Sequence, residues 1–239
     1  MKSNILHIMK LIVLAAGKGT RFLPTTNTIP KGMIPLLEKP LLEHVVTPYL
    51  PYVSDIIFVI SEPLGQKIKE HFKENYLGHN IFYKTQTEQK GTMDAVLRCK
   101  DLINDGELFC VCNGDDLLKE SDIKNALKDG EIGIGISKKL MPKNYWGIEI
   151  KNNYVSGFKA HNTTDDFVED TFYNGFNILD NKIFGFEPVL LKNGESGLPH
   201  TLLAHLNTYP LKAFMFQSWE TVNGPQDIGG AANFIQNNG

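Results

Sequence analysis

Apolar runs and helix-period segments alternate through the first half of this sequence. Lys10–Ala15, Asp55–Ile60, Ile81–Lys84 and Leu108–Cys112 are short apolar runs, the pattern of strands buried on both faces. Helical segments follow each of them. Pro40–Leu50 carries Leu41, Leu42, Val45 and Val46 on one stripe. Pro63 is placed to open a helix where its missing N–H costs least, with Ile68 and Phe72 four apart. Thr92–Lys100 spaces Ala95, Val96 and Cys99 helically, and Ser121 is a candidate cap for a helix over Ser121–Lys128. Four such β–α units predict an α/β fold with a mainly parallel sheet flanked by helices. Ligands in these sheets sit at the carboxyl ends of the strands. The loops after Ala15, Lys84 and Cys112 are therefore where chemistry is expected.

The second half reads differently. Ile132–Ser137, Trp146–Ile150, Tyr154–Phe158 and Phe172–Leu179 have strand character, and Asn152-Asn153 fits a hairpin turn. Helices are expected at Asn181–Glu187 and Pro199–Leu206, then a strand at Lys212–Gln217 and a helix from Pro225 to Gln236, with a frayed tail over Gln236–Gly239. No repeat or low-complexity linker interrupts the chain. We expect one domain over residues 1–239, with 1–130 as one half and 131–239 as a second, β-rich half. The 239 residues suffice for a sizeable core without metal or disulfide staples.

Charge and cysteine usage exclude several classes. Lys plus Arg total 24 and Asp plus Glu 27, a net charge of −3, so the basic surplus of a nucleic-acid binder is lacking. No apolar run reaches the length of a spanning helix, which argues against a membrane partner. Cys99, Cys110 and Cys112 are too few for a disulfide framework. Cys110 and Cys112 alternate in an apolar run and read as thiols on one face of a buried strand. The N-terminal MKSNILHIMK lacks a small-residue cleavage site and reads as an extension before the first strand. Together these features predict a cytoplasmic protein.

The loop after the first strand, Ala16-Gly17-Lys18-Gly19-Thr20-Arg21, is built for phosphate. It fails the P-loop pattern, because Ile12 stands five residues before Gly17. It fails the dinucleotide fingerprint too, because Phe22 takes the third glycine position. Yet Ala16, Gly17 and Gly19 let backbone N–H groups approach an anion closely. Lys18, Arg21 and Lys31 add three cations, of which Arg offers a bidentate fork. A Gly-rich turn with solvated basic residues is the plainer alternative.

The longer stretch Leu14-Ala15-Ala16-Gly17-Lys18-Gly19-Thr20-Arg21-Phe22-Leu23-Pro24, with Ile29-Pro30-Lys31-Gly32-Met33-Ile34-Pro35-Leu36 and Lys39-Pro40-Leu41-Leu42-Glu43-His44, resembles the sugar-1-phosphate nucleotidylyltransferases. It is most similar to the bacterial UTP–glucose-1-phosphate uridylyltransferases. The resemblance implies a Rossmann-like α/β fold, a small β-rich sugar-binding lobe, and a reaction joining an NTP to a sugar 1-phosphate with release of pyrophosphate. It implies Arg21 and Lys31 as catalytic cations and Ala15, Ala16, Gly17, Gly19 and Thr20 as nucleotide-binding. Gln86-Thr87-Glu88-Gln89-Lys90-Gly91-Thr92 resembles the family's base-reading stretch, implying Gln86, Gly91 and Thr92. An amide offers both a donor and an acceptor to a base edge, which leaves UTP, CTP and dTTP open. Thr92 also suits a helix cap.

Cys112-Asn113-Gly114-Asp115-Asp116 resembles the family's Gly-Asp strand end, implying Asp115 as a ligand of Mg²⁺ with Asp116 as the spare. Trp219-Glu220-Thr221-Val222-Asn223-Gly224-Pro225-Gln226-Asp227 resembles a segment whose second ligand is often Asp. Thr221 departs from that version, while Val222-Asn223 matches another, so Asn223 is implied as the second metal ligand. On the sugar side the resemblance implies Gly147, Lys159 and Asn174, although the family's Glu next to Lys159 is missing. His200 and His205 lie five apart, outside helical pair spacing, and read as structural. Homo-oligomerisation stays open. The competing class is a nucleotide-sugar-binding regulatory protein without turnover, motivated by Thr221 and the missing Glu.

Overall fold

Strand β1 (Met9–Leu14) lies at the centre of a ten-stranded sheet and is buried on both faces. Met9, Leu11 and Val13 join one hydrophobic cluster, and Ile12 joins the other. The same two-residue period splits β2 (Val53–Ile60): Ile56, Phe58 and Ile60 face one way, Ile57 and Val59 the other. Further strands are β3 (Asn75–Tyr76), β4 (His79–Thr85) and β5 (Leu108–Asn113). Cys110 and Cys112 are free, fully buried and on one side of β5, as their alternation requires. This computed structural model describes residues Met9–Asn238. The expectations for the N-terminal extension and for Gly239 lie outside the described residues.

The second half adds β6 (Gly133–Pro142), β7 (Gly147–Lys151), β8 (Tyr154–Lys159), β9 (Phe167–Asp180) and β10 (Lys212–Phe216). The order across the sheet is β7-β8-β10-β6-β9-β5-β1-β2-β4-β3. The run β5-β1-β2-β4 is parallel, as the alternation predicts. Strand β9 runs antiparallel to both β5 and β6, so the sheet is mixed. Asn152 and Asn153 both take positive φ (53° and 66°) between β7 and β8, the backbone that a two-residue hairpin turn demands.

The helices are α1 (Leu41–Val46), α2 (Gln66–Phe72), α3 (Thr92–Leu97), α4 (Glu120–Asp129), α5 (Leu198–Ala204) and α6 (Ile228–Asn238). Among the described residues no helix is long and apolar enough to cross a membrane. Several boundaries differ from expectation: the Pro40–Leu50 segment is α-helical only over Leu41–Val46, Asn181–Gly185 is a 3-10 turn rather than a helix to Glu187, and the last α-helix begins at Ile228 after a 3-10 turn at Pro225. Pro63 sits in the turn before α2, which starts three residues later at Gln66. Ser121 does not cap α4: the cap position is Lys119, and Ser121 is already helical. Glu120 and Asp122 in the first turn offset the exposed N–H groups instead. The C-terminal helix stays regular to Asn238 rather than fraying at Gln236.

Candidate active site

Three strand ends meet at one cleft. A cavity of about 640 Å³ is lined by the loop after β1, by Gln86 and Gly91 after β4, and by Gly114 and Asp115 after β5. A second cavity of about 450 Å³ adjoins it, and Asn113, Asp115, Pro199 and His200 line both. Asp115 therefore stands at their junction.

The first loop is shaped by its backbone. Gly19 has φ +61°, and a Cβ there would lie 2.9 Å from Thr26 Cγ2. Thr26 also donates its hydroxyl to the Gly19 carbonyl at 2.9 Å. Gly17 has open space where a side chain would be. Ala15, Ala16, Gly17, Lys18, Gly19 and Thr20 all line the larger cavity. Phe22 is buried and anchors the turn that carries exposed Arg21. Lys31 opens a second short turn, Lys31–Met33.

Both cations are already aimed. Lys31 Nζ donates to Asp115 Oδ2 at 2.5 Å. Arg21 Nη1 donates to Asn223 Oδ1 at 3.1 Å. The loops carrying Asp115 and Asn223 are joined by a two-stranded sheet, Asp116–Leu118 with Trp219–Thr221. Val222 N–H donates to the Asp115 carbonyl at 2.9 Å. Asp227 then clamps the backbone N–H groups of Asn223 and Gly224 at 2.7 and 2.8 Å. Thus segments far apart in sequence form one wall.

The donor set suits a hard cation. Asp115 and Asn223 offer oxygen at the rim of the smaller cavity, and one or two protein oxygens suffice for Mg²⁺, which keeps most of its waters. Among the described residues no group of three His, Cys, Asp or Glu side chains gathers into a metal cluster. Asp116 lines the smaller cavity from within this wall. It is buried, accepts from Asn113 Nδ2 at 2.7 Å and from Trp219 Nε1 at 2.9 Å, and leaves no room for a side chain at Gly175. Burial, reinforced by the Asp115 charge, pushes its pKa up to about 7.

Leu42 of α1 supports this wall from beneath. It is fully buried, fills the space a Cβ at Gly32 would need, and comes within 3.2 Å of one at Gly114. Leu42→Ala should cost about 2–5 kcal/mol and loosen both the Lys31 and Asp115 loops. A lowered urea midpoint together with a turnover loss greater than the unfolded fraction explains would check this.

The base-side segment is tied to distant partners. Gln89 Nε2 donates to the Ala16 carbonyl at 2.7 Å, joining the base loop to the phosphate loop. Thr92 does not cap its own helix. It is the first residue of α3, and its hydroxyl accepts from Leu198 N–H at 2.8 Å, at the start of α5. In return Ser196 Oγ accepts from Asp94 N–H at 3.1 Å. Each helix start is thus satisfied by the other's flanking residue.

None of the three sugar-side residues expected from the sequence lines either cavity. Asn174 is fully buried, with Nδ2 donating to Ser137 Oγ at 3.1 Å and Oδ1 accepting from Phe176 N–H at 3.2 Å. Lys159 is paired with Asp170 at 2.7 Å. Gly147 sits opposite Lys159 in the hairpin, where a Cβ would meet Asp170 Oδ2 at 2.7 Å. These residues hold the sheet end together. The smaller cavity is lined instead by Tyr145, Trp146, Phe158, Tyr173, Gly175 and Trp219, with His200 at its edge. His200, structural by its spacing in the sequence, faces this cleft. It lies in the first turn of α5, its Nδ1 is buried without a partner, and burial lowers its pKa. His205 is indeed packed, stacked on Phe186 at 4.1 Å.

The cleft thus brings together two cations, an acidic strand end and a glycine-rich loop. The sequence profile described as nucleotidyl transferase matches residues 10–154, more than half of the chain, and the chain belongs to that family. Bifunctional protein GlmU of Methanococcus maripaludis (strain C5) is 32% identical over 228 residues, covering 92% of this chain and 53% of the relative. UTP–glucose-1-phosphate uridylyltransferase 2 of Staphylococcus saprophyticus is 35% identical over 137 residues, covering 48% of this chain and 47% of the relative. This chain spans about half the length of the curated relatives it matches. Among solved structures, a UDP-glucose pyrophosphorylase complexed with UDP-glucose superposes with a TM-score of 0.82 at 23% identity, covering 96% of this chain and 99% of that one. An inositol-1-phosphate CTP transferase from T. maritima gives 0.81 at 20%, covering 96% and 95%. These two establish the likeness of fold.

Proposed function

We propose that this chain joins an NTP, UTP foremost, with CTP and dTTP as the further candidates from its sequence, to a sugar 1-phosphate. The products are an NDP-sugar and pyrophosphate. The observation that carries this reading is Asp115, paired with Lys31 and standing where two cavities meet. The larger cavity would take the nucleotide, with its triphosphate along Ala15–Thr20. The smaller would take the sugar phosphate. An oxygen of the sugar phosphate attacks the α-phosphorus in line, and the bond to the pyrophosphate oxygen breaks. Arg21 and Lys31 stabilise the charge that builds on the leaving pyrophosphate, as fixed cations do without reorganising. Asp115 and Asn223 would hold Mg²⁺, which when bound neutralises phosphate charge. The aromatic walls around Tyr145, Trp146 and Phe158 would stack on the apolar faces of the sugar and exclude water.

Turnover needs no protein nucleophile, and the three cysteines are buried and free. Burial pushes the Cys99 and Cys110 thiols up to about 12, away from reactive thiolate. Free thiols suit a reducing compartment, and we assign the enzyme to the cytoplasm. The test is a panel of NTPs and sugar 1-phosphates with Mg²⁺, read by pyrophosphate release. At least one pair should turn over, and chelating the metal should abolish it. Thr221, at the position where the resemblance leads one to expect a carboxylate, favours the second reading of a regulatory nucleotide-sugar binder. Tight nucleotide-sugar binding with no pyrophosphate from any pair would establish that reading instead.

A further inference from the structure

The wall of the larger cavity has a fixed hydrogen-bonding polarity. Gln86 is only 4% exposed. Its Nε2 donates twice, to the Gly91 carbonyl at 2.9 Å and to Asp94 Oδ2 at 2.8 Å. A carbonyl and a carboxylate accept only, so turning the amide over would set oxygen against oxygen at both contacts. Its Oε1 has no protein partner among the described residues and is not sealed off, in a residue that lines the cavity. Gly91, whose carbonyl Gln86 holds, also lines this cavity, and its N–H is likewise free of protein partners among the described residues.

Asp94 is itself held in place. Arg98 Nε donates to Asp94 Oδ2 at 2.9 Å and Nη2 to Oδ1 at 3.4 Å. Arg98 Nη1 is anchored on the Thr85 carbonyl at 3.3 Å. Ser196 Oγ takes the Asp94 backbone N–H. A charged pair thus keeps a neutral amide in one orientation, and charge-assisted bonds are the stronger ones.

An acceptor beside a donor is complementary to uracil and thymine, which present N3–H next to a carbonyl oxygen. Cytosine presents the reverse, a lone pair at N3 next to an amino group. An amide free to turn would serve both. We propose that Asp94, held by Arg98, is a specificity-determining positioning residue: it locks Gln86 with its oxygen toward the cavity and so selects uracil or thymine nucleotides against cytosine. This inference rests on the larger cavity being the nucleotide site and narrows the substrate class within that reading.

The experiment is calorimetric titration of UTP, dTTP, CTP and GTP into the full chain, its Asp94→Asn variant and its Arg98→Met variant. Thermal melts would establish that each is folded. Wild type should bind UTP or dTTP at least about tenfold more tightly than CTP, the order expected when a polar edge is mismatched. The substituted asparagine can offer either its oxygen or its amino group to Gln86. The Gly91 carbonyl still opposes a turned amide, so Asp94→Asn should narrow the ratio by at least about threefold rather than abolish it, chiefly by a gain in CTP binding. Arg98→Met leaves Gln86 and Asp94 intact and should move the ratio in the same direction, which keeps the test valid if the first variant folds poorly. CTP bound as well as UTP by wild type, or GTP bound best, overturns the proposal alone. So do variants that weaken all nucleotides equally, since a purely structural role would do that. No binding by any nucleotide overturns the nucleotide-site reading together with the proposal.

Discussion

Arg21→Ala is expected to lower turnover by about a thousandfold while leaving the melting temperature within about a degree. The two halves of this expectation have separate grounds. Arg21 is exposed, and among the described residues its one polar contact is Nη1 to Asn223 Oδ1 at 3.1 Å. Surface substitutions of this kind usually stay within about 0.5 kcal/mol. In the proposed reaction, by contrast, charge on the departing pyrophosphate develops mainly as the reaction proceeds. Removing one fixed donor to such a charge typically costs about 10²–10³ in rate, and a full cation on a phosphate merits the upper end. The loss should therefore fall on kcat more than on KM. Arg21→Lys retains the charge but loses the fork, so it should recover part of the rate and not all of it. Pyrophosphate release under saturating substrates, with melting curves alongside, would check both halves. Unchanged kcat in Arg21→Ala would remove Arg21 from the chemistry and with it the argument from the loop after β1.

What the sequence made legible depended on whether the signal was local. The continuous runs around Leu11–Val13 and Cys110–Cys112 read as central strands, because both residue parities are apolar and the runs are too short for a helix. The glycine loop and Asp115 follow strands directly, so their convergence at the carboxyl end of the sheet follows from the alternation, while Arg21 and Lys31 come from further along the segment after β1. The Asn152-Asn153 hairpin was readable because two adjacent residues must both take positive φ. The sugar side was not readable in this way. Whether Asn174 faces a cavity or the interior depends on its register between β6 and the bulge that separates Tyr173 from Asn177, and one residue of slip turns a side chain over. Lys159 finds Asp170 across the fold, a pairing without local signature. The caps failed for a related reason. Thr92 and Ser121 match the residue types of N-caps, yet Thr92 Oγ1 serves Leu198, 106 positions away. His200 reads as structural in the sequence because pair spacing tests only for a metal; the helix start at Pro199, whose first turn lines the cleft, was the available signal.

That long-range contact makes Gly91 the position where one added methyl group should do the most damage. Gly91 has φ +94° and ψ −179°, a region essentially reserved for glycine, and holding another residue there costs about 1–3 kcal/mol. Its Cα also faces backbone. A Cβ would meet the Ser196 carbonyl and come within 2.6 Å of the Ser196 nitrogen, where no flexible side chain can yield. Overpacking of this kind adds about 1–3 kcal/mol. To relieve it, Ser196 must move, and Ser196 is bonded to this region through every polar atom it has. Its N–H and hydroxyl donate to the Lys90 carbonyl, and its carbonyl and hydroxyl accept from Met93 and Asp94. Gly91→Ala should therefore lower the melting temperature by about 5–15 °C, at roughly 2–4 °C per kcal/mol for a chain of this size. It should also release Asp94 and Gln86, so that nucleotides no longer raise the melting temperature. Gly78 provides the internal comparison. It has φ +92° but open space around a would-be Cβ, so Gly78→Ala carries the backbone strain without the collision. Its melting temperature should fall by less than half as much, and its nucleotide-induced shift should match wild type. If the two variants melt alike and bind alike, contact with Ser196 is not what holds the base-side wall in place.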